Sequence, residues 1–505
     1  MTHIARSSLI IAVFFGIDKV LGFVRQVFIA RQFGLSYEID VFNAANNIPD
    51  LLSALISGGA LGVALIPVLS EFLTKRGRPG AWDLFARILN LAFFVTAAIA
   101  ILIAAFAAPL VRYLIAPGFP LEQQALTVEL MRLDLIAIII FSISGLVMAG
   151  LQTNQHFLLP AMAPGLYNLG QIFGVAILAP QTGLQVGPIA LPGFGFGIHG
   201  LVYGVIIGAL LHLAIQIPGL IHYQFRWRPA IGLRDPGVQQ VLRLLGPRVA
   251  TMFFLQVFFI ARDNLASRLG EGSVTALNYG WFIMQVPETL IGSALAIALL
   301  PTLSEIFARG EQELFGDTVN RAVRVLLALT LPIAALLAVG LEPLIPLIFG
   351  FDAQGSQLVL WASRAYLLGL AGHALLETAA RSFYAQQDAR TPLYLAALNA
   401  LVYIVLAINL SRLLAAPGIA LANTFAFTLE ALLLLFILSR RYPRALQVGG
   451  TLMRAAAAAL LGGTVTYFVL QLPLPALLAP FVGMGLGGLA ALPLILPEIR
   501  VLVKL

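Results

Sequence analysis

The eight residues ALIPVLSE at positions 64–71 return almost unchanged as ALLPTLSE at positions 298–305. Three further pairs of short segments repeat in the same order and at a similar distance: IPD at 48–50 with VPE at 286–288, FIAR at 28–31 and 259–262, and QHFLLP at 155–160 with QDARTP at 387–392. An ordered series of matches at one spacing indicates an internal duplication of a long segment, so the chain is expected to contain two similar halves.

The composition places both halves in a membrane. Of the 505 residues, 60% are hydrophobic and only 10% are charged, and the mean hydropathy is +0.94. Soluble domains carry roughly 25% charged residues. The apolar runs are continuous, and each is about 20 residues long, which is the length of a helix that crosses a bilayer. We therefore predict an all-α, polytopic membrane protein with about fourteen transmembrane helices.

The predicted spans are residues 8–30, 39–70, 83–112, 127–152, 158–180, 196–221, 241–268, 274–306, 317–349, 356–385, 391–411, 416–439, 451–471 and 475–497. The N-terminus, Met1 to Phe15, resembles a signal peptide, but Asp18, Lys19 and Arg25 follow at once and no small-residue cleavage site appears. We interpret it as a retained first helix.

Lys and Arg residues concentrate in alternate loops, whereas the loops 181–196, 350–356 and 472–474 contain none. By the positive-inside rule this pattern predicts that both termini are cytoplasmic. The duplication then gives two pseudo-symmetric six-helix lobes of the same orientation, residues 1–225 and 226–445, followed by two further helices in residues 446–505. Such a frame is typical of alternating-access transporters with the cargo site between the lobes; a duplicated scaffold without transport is the alternative.

Charged residues inside the spans mark the candidate site, because an ion at the centre of a bilayer is costly unless it faces water or protein. Helix 1 carries Asp18, Lys19 and Arg25, and helix 2 carries Asp40, Asn43, Asn46, Asn47 and Asp50. Together they predict a polar wall in the first lobe. Lys19 and Arg25 suit a phosphate group. The alternative is an internal ion pair, for example between Asp40 and Arg25.

In the second lobe, Arg262 is a further candidate for substrate binding, and Asp263 is a candidate for coupling transport to a cation. Equally, Asp263 could be a local partner for Arg262 or Arg268. Gly200, Gly204 and Gly208 recur every four residues before His212, a pattern that predicts close helix packing. We interpret His212 as a packing residue with its hydrogen bonds satisfied.

Other chemistries are excluded by what the sequence lacks. There is no cysteine, no phosphate-binding loop for ATP and no His-Glu-x-x-His zinc motif, so no cofactor is expected. The net charge of +7 follows the topology rule and does not indicate nucleic acid. A membrane glycan ligase or transferase needs a catalytic outer loop, but the loop 181–196 has no ionisable side chain. Energy would come from the membrane potential, from the gradient of a coupling cation, or from substrate supply and removal.

Several motifs resemble the MurJ (MviN) family of lipid II flippases. They are VLGFVR at 20–25, A-R-x-F-G at 30–34, IPDLL at 48–52, APGF at 116–119, F-x-x-P-A-x-A-P at 157–164 with Asn168, and F-Y-x-x-Q-D-x-R-T-P at 383–392. The resemblance runs in order from about residue 19 to 443. It implies the two-lobed fold of the multidrug/oligosaccharidyl-lipid/polysaccharide exporter superfamily, with helices 13 and 14 forming a groove for the lipid tail.

By position, Lys19 and Arg25 resemble the two cavity cations of that family on helix 1, and Asp40 resembles its acid on helix 2. The chain departs from the family's charged positions at Ser53, Gly58, Trp281, Phe282 and Gln285. The resemblance implies that the protein is not an enzyme but moves lipid II, a lipid-linked peptidoglycan precursor, across the bacterial cytoplasmic membrane. The alternative is a flippase for another polyprenyl-diphosphate-linked oligosaccharide.

Overall fold

The computed structural model describes residues 3–56, 60–183, 185–186, 189–190 and 192–502. The predicted all-α fold is confirmed, with one short antiparallel ribbon between Gln185–Val186 (β1) and Ile189–Ala190 (β2). The helices are α1 (His3–Phe33), α2 (Tyr37–Ile56), α3 (Ala60–Ala105), α4 (Ala107–Leu110), α5 (Leu121–Thr153), α6 (Leu158–Phe173), α7 (Gly197–Ala214), α8 (Ile217–His222), α9 (Pro236–Ala266), α10 (Ser273–Pro287), α11 (Ala294–Ala308), α12 (Gln312–Phe349), α13 (Ala353–Leu367), α14 (Leu370–Ala385), α15 (Arg390–Arg441), α16 (Gly449–Leu470) and α17 (Ala479–Leu502). Three π-helical turns continue α4, α6 and α10, at Val111–Ile115, Gly174–Leu178 and Glu288–Ser293.

These helices fall into the fourteen predicted segments. By length and composition, nine helices of the described chain can cross a membrane, or ten when the bent pair α13 and α14 counts as one span. Non-helical backbone at Gly77 divides α3, and non-helical backbone at Ala415 divides α15. The second predicted segment contains α2 and the first part of α3. The helices α1 and α9, which carry several charges, account for the remaining two of the fourteen segments.

The sequence repeat is also a repeat of local structure. ALIPVLSE lies in α3 ahead of Gly77, and ALLPTLSE lies in α11 ahead of Gly310; both glycines have positive φ, 67° and 74°. Gln155 after α5 and Gln387 after α14 have φ of 58° and 61°. A positive φ is uncommon for a residue with a side chain, so its recurrence at matching positions supports the duplication.

Contacts between residues divide the chain into two compact units, Met1–Arg268 and Leu269–Leu505. The first unit includes α9, because this helix packs against α2 and α3. The predicted lobes divide the chain after residue 225. They are defined by the sequence repeat and not by contacts between residues, so they stay a prediction.

Close packing of α6 and α7 explains the glycine spacing. A Cβ added to Gly200 would lie 2.6 Å from the backbone nitrogen of Ala179, and one added to Gly204 would lie 2.7 Å from the Cα of Gly174. These distances leave no room for a side chain. The predicted packing stripe is therefore confirmed. His212, which follows it, is buried, and its Nδ1 lies 2.6 Å from Ser144 Oγ, as expected for a packing residue.

Candidate functional site

The centre of the candidate site is an amide that binds two charged residues of α1. Asn168 of α6 accepts a hydrogen bond from Arg25 Nη1 at 2.9 Å and donates one from Nδ2 to Asp18 Oδ1 at 2.8 Å. Asp18 and Arg25 are seven residues apart, so both lie on the same face of the helix. Asn168 is itself buried. This geometry holds the guanidinium in place without neutralising it.

Lys19 and Arg25 retain their capacity to bind an anion. Lys19 is exposed, with its Nζ 4.9 Å from the centre of the Phe15 ring. Arg25 is half-buried, and its Nε has no hydrogen-bond partner. Among the described residues, neither cation forms an ion pair with a carboxylate within 4.0 Å. Asp40, the candidate partner of Arg25, is 3% exposed and makes polar contacts with other groups.

The polar residues of α2 meet α9 at a second point. Asn47 Nδ2 donates to Asp263 Oδ2 at 2.6 Å, and Arg262 Nε donates to Asp263 Oδ1 at 2.7 Å. All three residues are at most 6% exposed. Asp263 therefore has a local cationic partner, which is one of the two roles considered for it. Asn43, one turn before Asn47, is half-buried and also makes polar contacts.

Asp50 connects these two groups. Its side chain is exposed, and the charges of both Arg25 and Asp263 act on it. Asp50 in turn acts on Asp134 of α5, and the phenol of Tyr167 interacts with Arg25, Asp50 and Asp134. We call this group the first polar cluster; its members are Asp18, Lys19, Arg25, Asn47, Asp50, Asp134, Tyr167, Asn168, Arg262 and Asp263.

Three members, Asp134, Tyr167 and Asn168, were missed as functional candidates in the sequence. Asp134 is 3% exposed in the middle of the apolar helix α5, and the rule that intramembrane charges mark function would have identified it. Asn168 is part of a quoted motif, but an amide side chain gives no charge signal. Only the structure places it between Asp18 and Arg25.

The second unit contains a different polar group. Glu377 forms an ion pair with Arg381 at 3.0 Å, and both act on Glu288, which accepts a hydrogen bond from Ser293 at 3.1 Å. Glu430 accepts a hydrogen bond from Asn399 Nδ2 at 2.5 Å. The charges of Glu377, Arg381 and Glu430 all act on Tyr384. We call Glu288, Glu377, Arg381, Asn399 and Glu430 the second polar cluster. It contains three carboxyl groups and one cation.

The positions that depart from the family pattern contribute no charge. Trp281 packs edge-on against Tyr366 and His373, Phe282 is half-buried, and Gln285 is exposed. Ser53 of α2 is half-buried, and Gly58 lies outside the described residues. A cationic contribution from α10 is therefore absent, and the cations of the site are those of α1 and α9.

Comparison with known sequences identifies the family. The family model described as "Lipid II flippase MurJ" matches residues 29–481. The lipid II flippase MurJ of Burkholderia cenocepacia is 30% identical over 456 residues, which are 87% of this chain and 84% of that protein. The probable lipid II flippase MurJ of Rhizobium tropici is 29% identical over 462 residues, 89% of this chain and 84% of that protein.

Solved structures show the same fold. A structure titled "Lipid II flippase MurJ, inward closed conformation" aligns with a TM-score of 0.81 and 22% identity, and covers 98% of this chain and 100% of that one. An inward-facing multidrug resistance transporter of the MATE family and MOP superfamily aligns with a TM-score of 0.67 and 14% identity, over 85% of this chain and 95% of that one. The resemblance found in the motifs is thereby confirmed, and this multi-pass bacterial membrane protein belongs to the MurJ family of lipid II flippases.

Proposed function

We propose that this protein flips lipid II from the cytoplasmic to the outer leaflet of the bacterial cytoplasmic membrane. The family model across residues 29–481 supports this function. The binding site for this function is assigned to two cations on α1, Lys19 and Arg25, because neither forms an ion pair with a carboxylate among the described residues. Transport without catalysis, by alternating access, is part of the same proposal.

The physical problem of flipping is the headgroup. The diphosphate of a lipid-linked sugar carries negative charge, and moving it through hydrocarbon without a counter-charge costs many kcal/mol. Arg25 presents a planar fork of donors and Lys19 presents a compact point charge. Arg25 lies seven residues after Asp18 on α1, and Lys19 lies directly after it. Together the two cations bind both phosphates while the first polar cluster is exposed first to one leaflet and then to the other.

The rest of the molecule fits the remaining needs of such a substrate. The helices α16 and α17 expose large apolar side chains, among them Met453, Leu460, Leu489 and Phe468, which suit contact with a polyprenyl tail or with membrane lipids. The basic loops orient the chain with both termini in the cytoplasm. The energy comes from the membrane potential or an ion gradient, because the sequence has no ATP-binding loop.

A depletion-rescue experiment tests the function. The wild-type chain is expected to restore growth and cell shape in bacteria depleted of their own MurJ. The double variant Lys19→Ala, Arg25→Ala is expected to fail, because both phosphate-binding cations are removed. Accessibility of lipid II at the outer leaflet, measured in the same cells, reports the flipping step directly.

The matched control removes two other cations, Lys75 and Arg78, which are exposed on either side of Gly77 in α3. Lys75→Ala, Arg78→Ala should rescue as the wild type does at equal membrane abundance. If the wild-type chain is abundant but does not rescue, the substrate is another polyprenyl-diphosphate-linked oligosaccharide. If the α1 double variant still flips lipid II, the phosphate site proposed here is wrong.

A further inference from the structure

Asp134 is a buried carboxyl group without a counter-charge. It is 3% exposed within the span Leu121–Thr153, and its Oδ1 has no hydrogen-bond partner. Its neighbours on the same face of α5, Leu130, Met131 and Ile138, are buried and apolar. No ion pair involves Asp134 in the part of the chain that the structure describes. An ionised carboxylate in such a place costs several kcal/mol, so this arrangement favours the neutral acid.

The titratable groups around Asp134 come from three other helices. From α2, the carboxylate of Asp50 acts on it, and from α6 the phenol of Tyr167 lies close to it. Arg25 of α1 acts on Asp50 and on Tyr167. The titratable groups on the other helices that pack against α5 have partners other than Asp134. Four of them form hydrogen bonds or ion pairs: His212 with Ser144, His199 with Glu129, Arg87 with Asp83 and Lys75 with Glu71. The other four pack on aromatic rings: Arg112 on Tyr113, Arg76 on Phe72, and both Arg78 and His222 on Tyr223.

Asp50 and Tyr167 relate Asp134 to its surroundings. Asp50, whose carboxylate acts on Asp134, has an exposed side chain. Tyr167 precedes Asn168, the residue that binds Arg25. A change of charge at Asp134 therefore acts on the residue beside the amide that binds the guanidinium of Arg25.

We propose that Asp134 is a proton-binding residue of the first unit, and that its deprotonation weakens the binding of a diphosphate at Arg25. The proton passes from the Asp134 carboxyl group to water at Asp50 and leaves a carboxylate on α5. The new negative charge repels the diphosphate and attracts Arg25, so that release of substrate follows release of the proton. Proton binding stands on the geometry alone, whereas its coupling to transport depends on the proposed function.

Infrared spectroscopy of the reconstituted full-length protein tests proton binding without a substrate. At about neutral pH the wild type is expected to show a protonated-carboxyl C=O band that Asp134→Asn lacks. The control Asp83→Asn, which removes a carboxylate paired with Arg87 at 2.9 Å, should leave this band unchanged. Asp50→Asn, which retains Asp134, should move loss of the band to lower pH because a neighbouring negative charge is gone. A band of equal intensity in wild type and Asp134→Asn overturns the proposal.

Binding of a fluorescent polyprenyl-diphosphate sugar in nanodiscs tests the coupling. Each phosphate of this probe carries one ester bond and the shared anhydride bond, so only one strongly acidic OH remains on each and the charge of the probe is constant from about pH 6 to pH 8. Over this range wild-type affinity is expected to fall about tenfold, while that of Asp134→Asn stays within about twofold of its value at the lower pH. Equal pH dependence in both proteins contradicts the coupling. A chain that binds no probe at all, yet shows the infrared band, refutes the proposed function and leaves proton binding intact.

Discussion

The two polar clusters lie in different compact units of the chain, and they differ in how Arg25 and Arg381 are held. In the first cluster, Arg25 is bound by the neutral amide of Asn168, and Lys19 is exposed. In the second cluster, Arg381 is paired with Glu377 at 3.0 Å and acts on Glu288, and both Arg381 and Glu430 act on Tyr384. An amide positions a guanidinium and leaves its charge available, whereas a carboxylate cancels it. Anion recognition is therefore expected in the first unit.

Exchanging one arginine in each cluster should give the largest contrast. We expect Arg25→Gln to reduce lipid II flipping by about a hundredfold, because a charge that binds phosphate is lost. Arg381→Gln should stay within about threefold, because Glu377 is 42% exposed and water replaces its partner. Outer-leaflet accessibility of lipid II, normalised to membrane abundance, measures both. Equal losses in the two variants contradict the assignment of anion binding to the first unit.

Glu498 sharpens the contrast by showing what paired cations do in the second unit. This carboxylate of α17 is 1% exposed and binds Arg324 of α12 at 3.1 Å, Thr451 of α16 at 2.9 Å and also Arg454. We expect Glu498→Gln to lower the free energy of unfolding by about 2 kcal/mol, since two cations lose their counter-charge. Thermal unfolding in detergent measures the loss.

Flipping per folded molecule should be unchanged in Glu498→Gln. Glu342→Gln, which changes an exposed partner of Arg364, is the matched control and should alter stability by less than about 1 kcal/mol. A folded Glu498→Gln protein that has lost transport shows instead that this ion cluster takes part in substrate movement.

Asn168 tests whether the amide positions the cation. We expect Asn168→Leu to weaken binding of a polyprenyl-diphosphate sugar about tenfold, because Arg25 loses its hydrogen bond and moves among more rotamers. Asn168→Gln, which keeps the amide, should recover part of the affinity. Arg25→Gln combined with Asn168→Leu should bind no worse than Arg25→Gln alone. Additive losses instead indicate that Asn168 contacts the substrate or supports the fold independently.

The sequence predicted the frame of the molecule better than the details of the site. Continuous apolar runs and the repeat are properties of long segments, so α1 to α17 follow them closely, and the glycine spacing predicted the packing of α6 on α7. The partners of Arg25 and Asp263 depend on which helices meet in space. That information is not local, so Asp40 was a reasonable partner for Arg25 on sequence grounds although Asn168 is the residue that binds it.

Matching loops of the repeat offer a smaller test, beginning with Asp388. This residue accepts hydrogen bonds from the backbone and hydroxyl of Thr391 at the start of α15 and binds Arg441 at 2.9 Å. Burial raises its pKa, but these hydrogen bonds outweigh burial and hold the pKa below its ordinary value of 3.8. Its stabilisation is thus present above about pH 4 and is lost as pH falls through the lower, folded-state pKa. We expect Asp388→Asn to cost about 1 kcal/mol at neutral pH and to match the wild type in strong acid, by thermal unfolding.

His156 follows the positive-φ residue Gln155 in the first loop as Asp388 follows Gln387 in the second, and it should respond to pH in another range. Partial burial lowers its pKa below 6.5, and the nearby His222 lowers it further. Above pH 6.5 the folded and unfolded chains are both neutral at this position and it has no effect. Below that value the unfolded chain gains a proton first, so stability falls until the folded-state pKa is reached. We expect His156→Gln to remove this loss, which amounts to less than about 1 kcal/mol, while the Asp388 effect at lower pH persists. Unfolding curves across the acid range should show two separate losses of stability in the wild type. A single loss of stability that Asp388→Asn removes entirely would contradict the separate role of the first loop.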